Sequence, residues 1–507
     1  MPPDLALAID VGTGSARAAL VDGQGRIVSM AAREHEQIVP RFGWAEQRPA
    51  DWWEGVVHGI RAVLADVADA ATRISAIAAC GQMHGTVLID GSGRLTRDTV
   101  PLWNDKRTSN LVRAFERANP PASYLAECGN PATPAWSGFK LAWLRDHDPD
   151  AYARAAAVLM PKDYINFRLT GECAMDVGDG SCSFLMSPTS RNWSQAMIAR
   201  LGLDAAKLPP LRAPLDILGA ITATAAAETG LRPGTPVLVG GGDFPVALLG
   251  SGVIQPGLAA EIAGTSSILT VLAREPLRDL EISNMRTVEG NWAAFALLES
   301  GGDALRWARR VFHRQAAGYE AIVALAAEAP AGSDALFFMP YLTGDRLGEH
   351  RNARAQFFGI GAAHGMSHML RAILEGVAFA GARHLSILEK ASDRKIERVI
   401  ASAGGAKSSL WLKIKASVYG LPLLVPGEPE CGVIGCAILV ATATGRFARI
   451  EDAVAAYVRY AGEVTPDPVW SGTYRRMQPV FDRLHAHAQA LYDDLDGLIG
   501  VSRPPSP

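Results

Sequence analysis

The sequence predicts a mixed α/β protein built from two similar lobes. Three observations predict it. Residues 5–9, Asp10, Val11, Gly12, Thr13 and Gly14, followed by an alternating run to Val21, read as strand, tight turn, strand. The same sentence recurs at residues 258–272, where Gly264, Thr265 and Ser266 form the turn. Gly264 stands 252 residues after Gly12, almost half of the 507-residue chain, and a repeat at that spacing predicts duplicated lobes. Between and after the two hairpins, strand-like runs alternate with helical patterns.

In chain order, a third strand is expected over residues 26–30, beyond the turn Asp22-Gly23-Gln24-Gly25. Because Gly12 and Gly14 run into a strand, a Walker loop or a dinucleotide fingerprint fits poorly, since both need glycines that open a helix. Helices follow over 51–64, 137–147 and 149–159, with strands at 74–79, 86–89 and 236–239. The second half has strands at 398–401 and 423–426 and helices at 409–419 and 433–444. The seam is expected around residues 250–258, giving lobes 1–250 and 251–500. The last seven residues, 501–507, carry three prolines and read as a disordered tail.

Composition narrows the class. Hydrophobic residues are 49% and charged ones 20%, enough apolar material for a large core and too much for a disordered chain. Lys and Arg total 49 against 52 Asp and Glu, a net charge of −3, which excludes attachment to nucleic acid through phosphate contacts. Cys80, Cys128, Cys173, Cys182, Cys431 and Cys436 show no CxxC spacing, so neither a disulfide framework nor a zinc site is predicted. They read as buried small hydrophobes in a reducing compartment. The longest apolar stretch, residues 433–443, is well short of the ~18 residues of a membrane helix. No basic segment precedes residues 5–9, so a soluble cytoplasmic protein with no membrane or nucleic-acid partner is expected.

Six glycine-rich or polar segments have the residue types for chemistry. In Asp10-Val11-Gly12-Thr13-Gly14-Ser15, hairpin-tip glycines leave backbone N–H groups for phosphate oxygens, and Asp10 can hold a divalent ion against them. An ordinary hairpin with a left-handed turn would account for the same residues. Gly264-Thr265-Ser266 would supply a second set of donors to the same polyphosphate. In Gly404-Gly405-Ala406-Lys407, paired glycines let backbone lie flat against a planar group ahead of a helix N-terminus; a plain turn capped by Ser408 or Ser409 is the alternative. Gly240-Gly241-Gly242-Asp243 puts a carboxylate at a strand end, where it would accept a hydroxyl proton in phosphoryl transfer or merely cap a helix. In Gly81-Gln82-Met83-His84-Gly85, Gln82 and His84 would hydrogen-bond a polyol while Met83 packs on its carbon face; a structural histidine is the alternative. Trp103-Asn104-Asp105-Lys106-Arg107 is either a cleft wall or a loop with an internal ion pair.

Taken together these segments resemble the FGGY-type carbohydrate kinases, and among them the xylulokinase branch. The matching stretches are Ile9-Asp10-Val11-Gly12-Thr13, Gly43-Trp44-Ala45-Glu46-Gln47, Gly81-Gln82-Met83-His84-Gly85, Trp103-Asn104-Asp105 and Pro161-Lys162-Asp163-Tyr164. Gly240-Gly241-Gly242-Asp243, Gly264-Thr265-Ser266, Gly344-Asp345-Arg346 and Gly404-Gly405-Ala406-Lys407 complete the series, in order, across residues 5–445. The resemblance implies a two-lobed actin/Hsp70-like (ribonuclease-H-like) ATPase fold with a central cleft, ATP and Mg²⁺ as cofactors, and a homodimer. It implies phosphorylation of a ketopentose, D-xylulose to D-xylulose 5-phosphate. By position, Asp10 lies near Mg²⁺, Gly12, Thr13, Gly14, Gly264, Thr265 and Ser266 meet phosphate, and Gly404, Gly405 and Lys407 the adenosine end. Asp243 is the implied general base, and Gln82, Met83, His84, Trp103, Asn104, Asp105 and Asp243 the implied sugar contacts. Two departures bear on the substrate: Phe244-Pro245 where the branch has Asn-Ala, and Lys106 where it has Gly. A kinase of another pentulose, a pentitol or a tetritol shares the same chemistry. A non-catalytic nucleotide switch would have no need of Asp243 beside Gln82-Met83-His84. A sugar sensor with a dead kinase fold would be expected to have lost an acid or a phosphate-turn glycine, whereas Asp10, Asp243, Gly12 and Gly264 are all present.

Overall fold

The structure is a computed structural model that describes residues 3–41, 43–313, 318–347 and 351–498. The tail expected to be disordered, 501–507, lies outside the described residues. β1 (Leu5–Val11) is apolar except for Asp10, as a strand covered on both faces must be. It pairs antiparallel with β2 (Ser15–Val21), which pairs with β3 (Ile27–Glu34), a strand longer than the 26–30 expected. After α1 (Pro49–Asp66), β4 (Ile74–Gly81) lies parallel to β1. The helices α2 (Ser137–His147) and α3 (Pro161–Thr170) precede β5 (Ile217–Ala220), β6 (Pro236–Leu238) and α4 (Asp243–Gly250). The strand order is β5-β6-β4-β1-β2-β3.

The second half repeats this plan. It contains β7 (Leu258–Ala263), β8 (Ser267–Ala273), β9 (Ser283–Arg286), β10 (Trp292–Leu298), α5 (Gly302–His313), α6 (Met366–Ser392) and β11 (Arg398–Ser402). α7 (Ser409–Tyr419), β12 (Leu423–Pro426), α8 (Cys431–Ala443) and β13 (Tyr460–Val464) follow. The order is β9-β10-β8-β7-β11-β12-β13. In both sheets a hairpin's first strand is parallel to the next strand on its other side, and that strand to another, whose far neighbour is antiparallel. The duplication therefore lies in connectivity and register.

One predicted helix fails. Residues 149–159 divide into a helix, Pro149–Arg154, and a strand, Ala157–Leu159, which pairs antiparallel with Val87–Ile89. The apolar run is too short for periodicity to separate helix from strand, and the open edge of Val87–Ile89 decides it. The six cysteines are free and five are buried. Among the described residues no helix is long and apolar enough to cross a membrane.

The two halves share a core. α8 is apolar on all sides and packs its Val433, Cys436 and Ile438 with Ala6, Ala8 and Cys80 of the first sheet. Glycines let it cross α4 in backbone contact: a Cβ on Gly250 would fall 1.9 Å from the Cys431 carbonyl oxygen, and one on Gly435 2.1 Å from that of Val246. This crossing brings the N-terminus of α8 to the ends of β1 and β4.

Candidate active site

Two carboxylates meet where β1 and β4 end. Asp10 pairs in register with Cys80, and Val11 with Gly81, while Gly241 and Gly242 add a short parallel pairing on the far side of β4. That approach requires glycine. Gly240 has φ +69° and its Cβ would lie 2.0 Å from the Ala79 carbonyl oxygen; a Cβ on Gly242 would strike the Met83 sulfur at 2.6 Å. Asp243 is thereby delivered, half-buried, as the first residue of α4. Its Oδ1 accepts from the Phe244 N–H at 2.8 Å. Burial, with the charge of Asp10 adding, pushes its pKa up to about 7.

Burial also raises the Asp10 carboxyl, against the pull of Arg17. Asp10 Oδ2 accepts from Arg17 at 3.1 Å, whereas its buried Oδ1 has no hydrogen-bond partner. A Cβ on Gly432, at the start of α8, would come within 3.4 Å of Oδ2, and Glu430 lies 3.6 Å from Arg17. Two neighbouring carboxylates, one with an orphaned oxygen, form a donor set that fits a hard divalent cation such as Mg²⁺. Arg17 is a site residue the motifs did not single out. Its signal was the hairpin register, which places it opposite Asp10.

The glycine turns are not left-handed. Gly12, Gly14, Gly264 and Gly404 are absent from the positive-φ residues. A Cβ on Gly14 or Gly264 would meet nothing within 4 Å, so neither conformation nor packing demands glycine there. Bare backbone at such positions leaves room for something outside the chain. The first turn is held from behind: the Gln47 amide donates to the Thr13 carbonyl at 2.7 Å and the Trp103 indole to Thr13 Oγ1 at 3.1 Å. In the second, Gly264 and Thr265 carbonyls accept from the first N–H groups of α5, those of Gly302 (2.9 Å) and Asp303 (3.0 Å). Ser266 closes that turn through its carbonyl, which accepts from Gly264 N–H at 2.8 Å. Gly405 abuts Ala263, where a Cβ would fall 2.6 Å from that residue's own, so the Gly404–Lys407 turn stands beside the second hairpin. Lys407 is exposed.

Gln82 is buried, and its amide donates to Gln47 at 2.7 Å, linking the polyol turn to the first phosphate turn. Met83 lies against Gly242 beside Asp243. The buried His84 takes φ 65°, edges the Trp136 ring at 5.1 Å, and leaves Nδ1 without a partner. Burial, assisted by Lys140 and Arg346, keeps it well below the usual histidine range and therefore neutral near pH 7. The structure does not bring Asp105 to this site. It is 1% exposed, and both its oxygens are taken: Oδ2 accepts from Ala45 N–H at 2.7 Å, and both accept from Arg107 at 2.8 Å. Arg107 also reaches Glu46 at 2.6 Å and covers the Trp44 ring, so this loop is the internal ion pair. Asn104 turns its amide to Gln37 at 3.2 Å.

Two further groups were missed. Arg346 donates to Glu299 at 2.7 Å and lies 5.6 Å from the Trp103 ring, carrying the second half of the chain to the first-half wall. Below the triple glycine, Asp163, Asp176 and Asp179 cluster as metal ligands do, but Lys162 stands among them, 2.9 Å from Asp176 and 3.7 Å from Asp179. The lysine already holds the cationic position.

Two facing acids at strand ends, with bare-backbone turns on the hairpins of both sheets, define a phosphoryl-transfer site of the actin/Hsp70-like fold. Family comparison agrees: the model for the N-terminal domain of the FGGY family of carbohydrate kinases matches residues 5–250, and that for the C-terminal domain residues 259–444. The chain belongs to this family and is an ATP-dependent sugar kinase. It is 30% identical over 422 residues to a xylulose kinase of Escherichia coli (82% of this chain, 85% of that one). It is 29% identical over 514 residues to an autoinducer-2 kinase of Yersinia enterocolitica (97% and 96%). The crystal structure of xylulose kinase from Rhodospirillum rubrum superposes with a TM-score of 0.89 at 29% identity, covering 96% of this chain and 99% of that one.

Proposed function

We propose that the protein phosphorylates D-xylulose to D-xylulose 5-phosphate, with Asp243 as general base. The observation that carries this is a carboxyl with a pKa of about 7 standing between Asp10 and the Met83–His84 turn. A base poised near working pH accepts the proton of the attacking hydroxyl most effectively. In a loose transition state that proton leaves late, so Asp243 first orients the hydroxyl. Gln82, Met83 and His84 bind the sugar, the imidazole entering as its neutral form. Gly12, Thr13, Gly14, Gly264, Thr265 and Ser266 present backbone to the polyphosphate, with Gly404, Gly405 and Lys407 toward adenosine. Asp10 would hold Mg²⁺, which when bound offsets negative charge on the phosphates. Arg17 orients Asp10 and opposes the rise that burial imposes on its carboxyl.

A second reading is favoured by Phe244, which lines the base's own turn and stacks edge-on with Phe295 at 5.3 Å. An apolar ring there suits another pentulose, a pentitol or a tetritol equally. A panel of D-xylulose, D-ribulose, L-ribulose, xylitol and erythritol with ATP and Mg²⁺, followed by coupled ADP release, separates them. The expected result is the highest kcat/KM on D-xylulose; a higher value on a polyol overturns the ketose assignment.

A further inference from the structure

The turn that carries His84 rests on a buried lysine. Lys140, in the first turns of α2, is 0% exposed, and its Nζ donates to the carbonyl oxygen of His84 at 3.2 Å and to that of Ala135. It forms no ion pair among the described residues, and burial, with Arg346 and Arg107 adding and only Asp105 opposing, lowers its pKa to about 7. His84 itself occupies the left-handed region, where a non-glycine residue is strained. Its carbonyl receives a second, longer contact from the Thr86 hydroxyl at 3.3 Å. Trp136, the extended residue that precedes α2, meets the imidazole edge-on. Three costs thus coincide: a strained backbone, a buried lysine without an ion-pair partner among the described residues and a buried Nδ1 without a hydrogen-bond partner. Packing alone selects against each of them, because an apolar side chain of similar volume would fill the space under His84 without desolvating a charge.

We infer that Lys140 is a positioning residue for the sugar: it pins the His84 carbonyl and so holds the imidazole in the backbone conformation that turns the ring toward the sugar. This rests on the reading that His84 contacts the substrate. A lysine suits the task because its ammonium has three donors on a flexible stem and can satisfy two carbonyls at once, fixing the position of one against the other. Without those donors, His84 relaxes toward ordinary backbone angles and its ring leaves the pocket.

The test is a double-mutant cycle of Lys140→Met and His84→Ala, with steady-state constants for sugar and ATP and melting temperatures for all four proteins. Lys140→Met is expected to raise the sugar KM about tenfold or more, the scale of one lost oriented hydrogen bond, with the larger part of the loss in KM rather than kcat and the ATP KM unmoved. In the His84→Ala background it adds no further increase. Penalties that multiply, or parallel losses in ATP KM, kcat and melting temperature, would show a structural role and overturn the inference. A silent Lys140→Met beside a damaging His84→Ala sinks the inference alone, whereas a silent His84→Ala removes the sugar-turn reading and this inference with it. Lys140→Gln keeps a side-chain amide with two N–H donors; it should recover part of the affinity, and it replaces the methionine variant if that one does not fold.

Discussion

Asp243→Asn separates the cost of a catalytic base from its use. Burial and Asp10 raise the Asp243 pKa from 3.8 to about 7, so the folded protein prefers the protonated carboxyl. A shift of about 3 units at ~1.4 kcal/mol per unit is worth about 4 kcal/mol. The sign follows from the direction: the favourable neutral form is fully present below pH ~4, and its contribution is lost as pH rises from there through about 7. At pH 8 the wild type carries the whole cost of an ionised, half-buried carboxylate, while asparagine carries none and still offers an oxygen to the Phe244 N–H. Nucleotide-free Asp243→Asn is therefore expected to melt higher than wild type at pH 8, with about 4 kcal/mol as the ceiling, and the two should converge near pH 4. Sugar phosphorylation should fall by about 10²–10⁴, the usual worth of a general base. The wild-type kcat/KM should drop tenfold per pH unit below about 7. Calorimetry at pH 4, 6 and 8 and a coupled ADP assay check both halves. Equal melting at pH 8, or near-wild-type turnover by the variant, would refute the reasoning.

Gly435→Ala should separate α4 from α8, because its Cβ would sit 2.1 Å from the Val246 carbonyl and backbone on both sides cannot yield. A loss of about 1–3 kcal/mol is expected, with kcat falling as Gly432 withdraws from Asp10; thermal unfolding and turnover measure the two. Arg107→Met leaves Asp105 and Glu46 buried without their shared cation and should cost about 3–5 kcal/mol, read from denaturant unfolding. An Arg107→Met protein as stable as wild type would return Asp105 to the list of free cleft groups.

Local patterns carried much of this molecule. The two hairpins, their half-chain spacing, and the glycines that mark each turn are readable from residue order, since strand alternation and turn chemistry act over a few neighbours. The triple glycine before Asp243 was equally legible as a strand end carrying a carboxylate; that backbone closes on backbone there is seen only in the fold. The strand hidden in residues 157–159 was not, because only the edge of Val87–Ile89 distinguishes it from the end of a helix. Asp105 stood open between cleft wall and internal ion pair for the same reason: residue order in Trp103-Asn104-Asp105-Lys106-Arg107 does not choose, and the fold does by turning Arg107 onto Asp105 and Glu46.

Sequence by itself determined the class of chemistry, since acids and bare glycines at strand ends have that meaning wherever they are placed. Tertiary structure alone decided which acid is held near neutrality, that α8 from the far half of the chain covers Asp10, and that Lys140 and Arg346 stand behind the sugar turn. The physical reason is that desolvation and charge–charge interaction depend on distance in space, and the groups concerned lie from about fifty to four hundred residues apart along the chain.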